Sequence, residues 1–173
     1  MEKLESLEDL ILHELKDMYH AEQQLVKALP KVAEKASSPQ LRSSLEEHLR
    51  ETEGHVDRLE KIFDLLGQPA KAVKCKAMKG ILDEGEDLMD LKGSPETIDA
   101  GIIMAAQKVE HYEIAGYGSL KCWADHLGEA EAAELLEQTL EEEKETDDKL
   151  TELAENSINA EQNEEEHAHN RRR

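Results

Sequence analysis

Apolar residues recur at alternating intervals of three and four along most of this chain, a spacing that specifies long amphipathic helices. Leu7, Ile11, Leu15, Met18, Leu25 and Leu29 form one such stripe, and Leu41, Leu45, Leu49, Val56, Leu59, Phe63 and Leu66 form a second. Ile102, Ala106, Val109, Ile114 and Leu120 make a third, and Leu136, Leu140, Leu150 and Leu153 a fourth. Aromatic residues are only 3% of the chain, too few for a β-sandwich core, while Ala, Leu, Glu and Lys dominate as they do in helices. The expected fold class is therefore all-α, and 173 residues suit one domain.

Local signals divide the stripes into separate helices. Ser6 with Asp9 has the form of a capping box and opens a helix over 6–36, with Pro30 expected to kink it or end it early. Ser38-Pro39 and Ser94-Pro95 each place a capping serine before a proline at the first helical position. The second helix runs from there to Gly67, and the third, the longest, from Pro95 to Gly128. A fourth spans 129–155, and residues 156–173, without periodicity, read as a disordered acidic tail beyond a bundle over 1–155. The stretch from Gln68 to Gly93 is too long for a tight turn, and Met78, Ile81, Leu82, Leu88 and Met89 place a short helix inside it. Two helices, a long crossover and two more helices is the connectivity of a ferritin-like antiparallel four-helix bundle with an extra short helix in the crossover. A simple up-down bundle with a decorated loop is the alternative.

Charge and hydropathy bound the partners. With 41 acidic against 21 basic residues the formal charge is -20, which disfavours the phosphate contacts that nucleic acid requires. No apolar run reaches the roughly 18 residues of a membrane span, and MEKLESLEDL lacks the features of a secretory signal. A cytoplasmic protein with no membrane partner is expected. Cys75 and Cys122 have no CxxC pattern and read as free thiols.

The chemistry lies in carboxylates that fall on core stripes. Position 22 is needed to keep the first stripe regular, and it is Glu22. A buried, isolated carboxylate loses its hydration, so it requires a cation or a proton. Helix two places Glu51 and His55 four residues apart, on the face that also carries His48. In helix three Glu113 continues the apolar stripe and Glu110 lies beside it. Helix four offers Glu143 among its leucines with Asp147 one turn later, while Glu141, Glu142 and Glu145 read as solvent-directed. Divalent cations of the iron and manganese type take carboxylate and imidazole ligands, and two of them together need several anions to offset their repulsion. Glu22, Glu51, His55, Glu110, Glu113, Glu143 and Asp147 are thus candidate metal ligands. The Glu-x-x-His spacing common in dimetal bundles is absent, because Glu51 is followed by Gly54 and Glu143 by Thr146. Tyr19, Tyr112 and Tyr117 read as packing residues with their hydroxyls near the surface.

Five ordered stretches, LHELKDMYHAEQQLVKALPK, HLRETEGHVDRLEKIFDLLG, KCKAMKGILDEGEDL, QKVEHYEIAGYG and LLEQTLEEEKETDDKLTELA, resemble the YciE/YciF-type ferritin-like stress proteins over residues 7–154. The resemblance implies a ferritin-like homodimer of bacterial or archaeal cytoplasm, linked to stress, with a candidate dimetal site. It matches Glu22 in HAEQQL, Glu51 in RETEG, Glu110 and Glu113 in EHYE, and Glu143 and Asp147 in EEKETD.

Two functions stay open. One is a dimetal-carboxylate protein with two iron or manganese ions, handling metal or reactive oxygen. The other is a non-catalytic structural or interaction dimer whose buried acids are only protonated or hydrogen-bonded. Iron storage is a weaker third, since nothing in the chain specifies a closed shell.

Overall fold

Serine caps begin the helices where the sequence places them. In the computed structural model, which describes residues 4–155, α1 spans Leu7–Lys35 and α2 Pro39–Leu65. The crossover helix α3 spans Lys76–Met89, followed by α4 over Pro95–Leu127 and α5 over Ala130–Leu153. The Asp9 amide donates to Ser6 Oγ at 3.1 Å and the Ser6 amide to Asp9 Oδ2 at 3.2 Å, completing the capping box. Ser38 and Ser94 accept from the amides of Leu41 and Thr97. Gly128, with φ of 78°, takes the left-handed cap position that ends α4. The segment expected to be a disordered tail, 156–173, lies outside the described residues.

Pro30 does not end α1 early, because the helix continues through it for the whole of Leu7–Lys35. The proline ring is exposed, while Leu29, Ala33 and Ala36 on the neighbouring face are buried. The packing of that inner face offsets the lost backbone hydrogen bond, which in an unsupported helix costs about 3 kcal/mol.

All adjacent pairs among the four long helices run antiparallel. Glu22 of α1 meets His55 of α2, and Tyr19 reaches Glu60, so the two helices pass in opposite directions. Gln107 faces Thr151 and Lys121 faces Glu137 across α4 and α5 in the same sense. The antiparallel all-α bundle with a long crossover agrees with the expected ferritin-like architecture. The crossover is tied to α1, as the amide of Val73 donates to the Lys16 carbonyl at 3.1 Å and that of Cys75 to His20 Nδ1 at 3.1 Å. Helix α3 then lies chiefly against α4. Among the described residues, no helix is long and apolar enough to cross a membrane.

The hydrophobic core comes in two blocks. Leu25, Leu29, Leu41, Leu45, Ile102 and Leu150 belong to one, and Leu15, Leu59, Phe63, Leu120 and Leu136 to the other. Between them lies a layer of buried polar side chains drawn from all four long helices.

Candidate metal centre

The polar layer consists of Glu22 from α1, His48 and His55 from α2, Glu110 and Glu113 from α4, and Glu143 from α5, each almost fully removed from solvent. Helical periodicity explains the convergence. His48 and His55 are seven residues, two turns, apart on one face, and Glu110 and Glu113 are neighbours at i and i+3. Two donor sets result. His48, Glu110, Glu113 and Glu143 form one and Glu22, His55 and Glu143 the other, with donor atoms in each set within 4.8 Å of one another. Glu143 is common to both.

The electrostatics of this layer are unfavourable without a cation. Both oxygens of Glu113, Oε2 of Glu22, Glu110 and Glu143 and Nδ1 of His48 are buried without a hydrogen-bond partner among the described residues, while Glu110 Oε1 lies 3.2 Å from His48 Nε2 and Glu143 Oε1 3.0 Å from His55 Nδ1. Native interiors rarely leave such atoms unpaired, and each costs about 1–3 kcal/mol. Burial, reinforced by the neighbouring charge of Glu143, drives the Glu110 and Glu113 carboxyls well above their usual range. Burial also raises Glu22 and lowers His48, whose imidazole is therefore neutral and has a lone pair free to ligate.

His55 is oriented by a second layer of groups. Its Nε2 lies 2.9 Å from Glu142 Oε2, and its Nδ1 lies 3.0 Å from Glu143 Oε1 and 3.5 Å from Glu22 Oε1. Burial alone would depress His55, but the three carboxylates outweigh it and push it up to about 12. Glu142 moves the other way, to about 2, through His55 and through Arg58, which clamps it with bonds of 2.9 and 3.1 Å. Arg58 is held in turn by Thr139 at 2.6 Å. This is the arrangement by which metal-binding histidines are commonly fixed, one ring nitrogen donating to a carboxylate and the other directed at the site.

The structure sorts the acids expected from sequence into two groups. Glu22, His55, Glu110, Glu113 and Glu143 come together, while Glu51 and Asp147 stand at the rim. Glu51 is turned outward by a hydrogen bond from Thr146 at 3.3 Å and by Lys149 at 3.9 Å, and it faces His48 Nδ1 at 4.0 Å. Asp147 accepts from Gln107 at 3.1 Å and lies 3.2 Å from His111. His48 is the donor that the candidate list omits, although its place on the Glu51–His55 face was readable from spacing. Two expectations are corrected. Glu142 is not directed to solvent, because His55 and Arg58 hold it inward, and the Tyr117 hydroxyl is not near the surface but donates to Glu22 in the buried layer.

A helical bundle with two overlapping carboxylate-histidine donor sets at mid-height defines a ferritin-like protein with a candidate dimetal centre. The family described as a domain of unknown function, DUF892, matches residues 6–163. Protein YciF of Escherichia coli K12 is 44% identical over 157 residues, covering 90% of this chain and 95% of that protein. The chain belongs to this YciF-type family. The crystal structure of the E. coli stress protein YciF superimposes with a TM-score of 0.87 over 90% of this chain and 99% of that one. YcfI of Rhodopseudomonas palustris, described as a candidate structural protein, is 42% identical with a TM-score of 0.83, over 86% of this chain and 95% of that one. A Xanthomonas campestris protein, 23% identical with a TM-score of 0.74, shares the fold over 93% and 99% of the two chains.

Proposed function

We propose that the bundle binds two divalent ions, iron or manganese, on the two donor sets, and that the loaded protein handles reactive oxygen or metal in a stress response. The observation that carries this is the group of unpartnered oxygen and nitrogen atoms buried between the two apolar blocks. Four carboxylates, Glu22, Glu110, Glu113 and Glu143, match the charge of two divalent ions, while His48 supplies a neutral nitrogen and His55 one that must give up its proton to bind. Mixed carboxylate and imidazole donors suit iron and manganese. When bound, such ions would supply redox and Lewis-acid chemistry toward peroxide or dioxygen. The chain's own residues hold the donors in place between the apolar blocks, through Glu142 and Arg58 on His55.

Kinship with E. coli YciF, described as a stress protein, supports the stress association. The cytoplasmic homodimer is part of the same proposal, and sedimentation of the purified chain tests the dimer. The structural-dimer reading draws on the R. palustris relative, but it leaves the unpaired buried carboxylates without a purpose.

Elemental analysis of the purified protein is the deciding experiment. About two equivalents of iron or manganese per chain are expected, falling strongly in Glu143→Gln, whose residue is common to both sets, and much less in Glu51→Gln. Metal below about a tenth of an equivalent after reconstitution with either ion, or equal content in the two variants, would overturn the proposal.

A further inference from the structure

A cavity of about 270 Å³ lies between α1, α3 and α4, and its inner end is the metal layer. Its walls are apolar, formed by Leu25 and Leu29 of α1, Leu82 and Met89 of α3, and Ile102 and Ala106 of α4. The inner end is lined by His48 and Glu110, 3% and 0% exposed; Glu110 Oε1 lies 3.2 Å from His48 Nε2, and Oε2 has no hydrogen-bond partner among the described residues. The outer end carries exposed charged residues, Lys31 and Lys35 against Asp83, Glu86 and Asp90, with Lys35 and Asp90 paired at 3.1 Å.

From this geometry we propose that the cavity binds an uncharged, medium-chain aliphatic molecule whose single polar end, a hydroxyl or carbonyl, reaches the His48–Glu110 floor. Three observations select that class. Allowing about 30 Å³ per heavy atom, as for a water in the liquid, the volume holds about nine heavy atoms. Dioxygen or peroxide would fill under a third of it, and peroxide gains nothing from leucine walls. The walls are those of a ligand site, mostly apolar with a few convergent polar groups. Charge excludes a fatty carboxylate, because its head would meet Glu110 at the floor or an excess of acids at the mouth, on a chain of net charge -20. A hydroxyl at the floor instead donates to Glu110 Oε2, the oxygen turned away from His48. Any chemistry performed on such a ligand rests on the metal reading above, whereas its binding does not.

The test uses 1-octanol as probe, with sodium octanoate for comparison, on the full chain carrying ¹³C-methyl methionine. Titration is followed by NMR and by calorimetry, with metal content measured on the same samples. One saturable octanol site per chain is expected, shifting the Met89 methyl, which lines the cavity, and leaving exposed Met104 unmoved. Octanoate should bind at least about tenfold more weakly, because its charge would be buried against Glu110 or held at an acidic mouth. Ala106→Phe and the milder Ala105→Leu, which fill the cavity, should each weaken octanol binding about tenfold or more while metal content stays unchanged. Absence of saturation, a Met89 signal that does not move, equal binding of octanoate, or undiminished binding in the folded Ala105→Leu variant would each overturn the proposal. Octanol bound to protein that takes up no metal sustains the cavity and sinks the metal reading alone, and metal uptake without octanol binding does the reverse.

Discussion

His55 and Glu142 form the best-supported contact of the polar layer: imidazole Nε2 stands 2.9 Å from a carboxylate oxygen that Arg58 also holds. Glu142 lies outside both donor sets, so its effect on metal comes through the orientation and basicity of the His55 ring. Glu142→Gln should weaken metal binding about 10- to 100-fold, the usual effect of losing such a supporting partner, without unfolding the bundle. A chelator competition titration measures this. Equal affinity in wild type and variant would show that the pair does not support the centre.

Metal binding should release protons. Glu22, Glu110 and Glu113 are raised by burial, and His55 carries a proton on the nitrogen facing Glu143, so binding replaces these protons by a cation. As pH rises from about 6 to 8, affinity should increase, and protons should be released throughout, because His55 stays protonated up to about 12. Calorimetric titration in two buffers of different ionisation enthalpy gives that number, and a value of zero throughout the range contradicts the site.

Asp99 of α4 carries a third prediction, away from the centre. Its buried carboxylate accepts from the amides of Ser37 and Ser38 at 2.8 and 2.7 Å, fastening the α1–α2 connection to the start of α4. Asp99→Ala removes two charge-assisted bonds and should cost about 2–3 kcal/mol, lowering Tm by about 5–10 °C. Metal content per folded chain should not change. Thermal denaturation beside elemental analysis separates the two effects, and an unchanged Tm would count against the fastening role.

Much of this architecture was legible because helices leave a periodic record. The serine caps, Gly128 and the crossover helix were readable from spacing alone, and so was Glu22 as the interruption of an apolar stripe. Early termination at Pro30 does not follow, because a proline penalty is local, whereas the packing of Leu29 and Ala33 that offsets it is tertiary. At the centre, spacing fixes the face of a helix but not the depth of a side chain. Glu51 and His55 share a face, yet Thr146 and Lys149 on α5 draw Glu51 to the rim. Glu142 precedes Glu143 and was assigned to solvent, because nothing in α5 itself records that Arg58 of α2 waits opposite. Asp99 escaped notice for the same reason, since its partners are backbone amides of another connection.

Replacing one buried acid distinguishes a metal centre from a structural relic. Glu113 is fully buried, neither of its oxygens has a hydrogen-bond partner, and its raised carboxyl follows first from burial and then from the charge of Glu143. A group whose pKa is raised on folding contributes stability that is fully present below the ordinary carboxylate range and is lost as pH rises through the raised value. Glu113→Met keeps similar volume and removes the titrating group. The metal-free variant should therefore be more stable than metal-free wild type by about 1–4 kcal/mol near pH 8, with the advantage shrinking toward pH 5. Saturating metal should stabilise wild type substantially and the variant much less, reversing the order, because a ligand stabilises only through preferential binding to the folded state. Denaturant unfolding of both proteins, with and without metal, tests the whole sequence. If metal stabilises the two equally, Glu113 is not a ligand, and if the metal-free variant is the less stable at both pH values, the acid serves packing and the centre loses its physical basis.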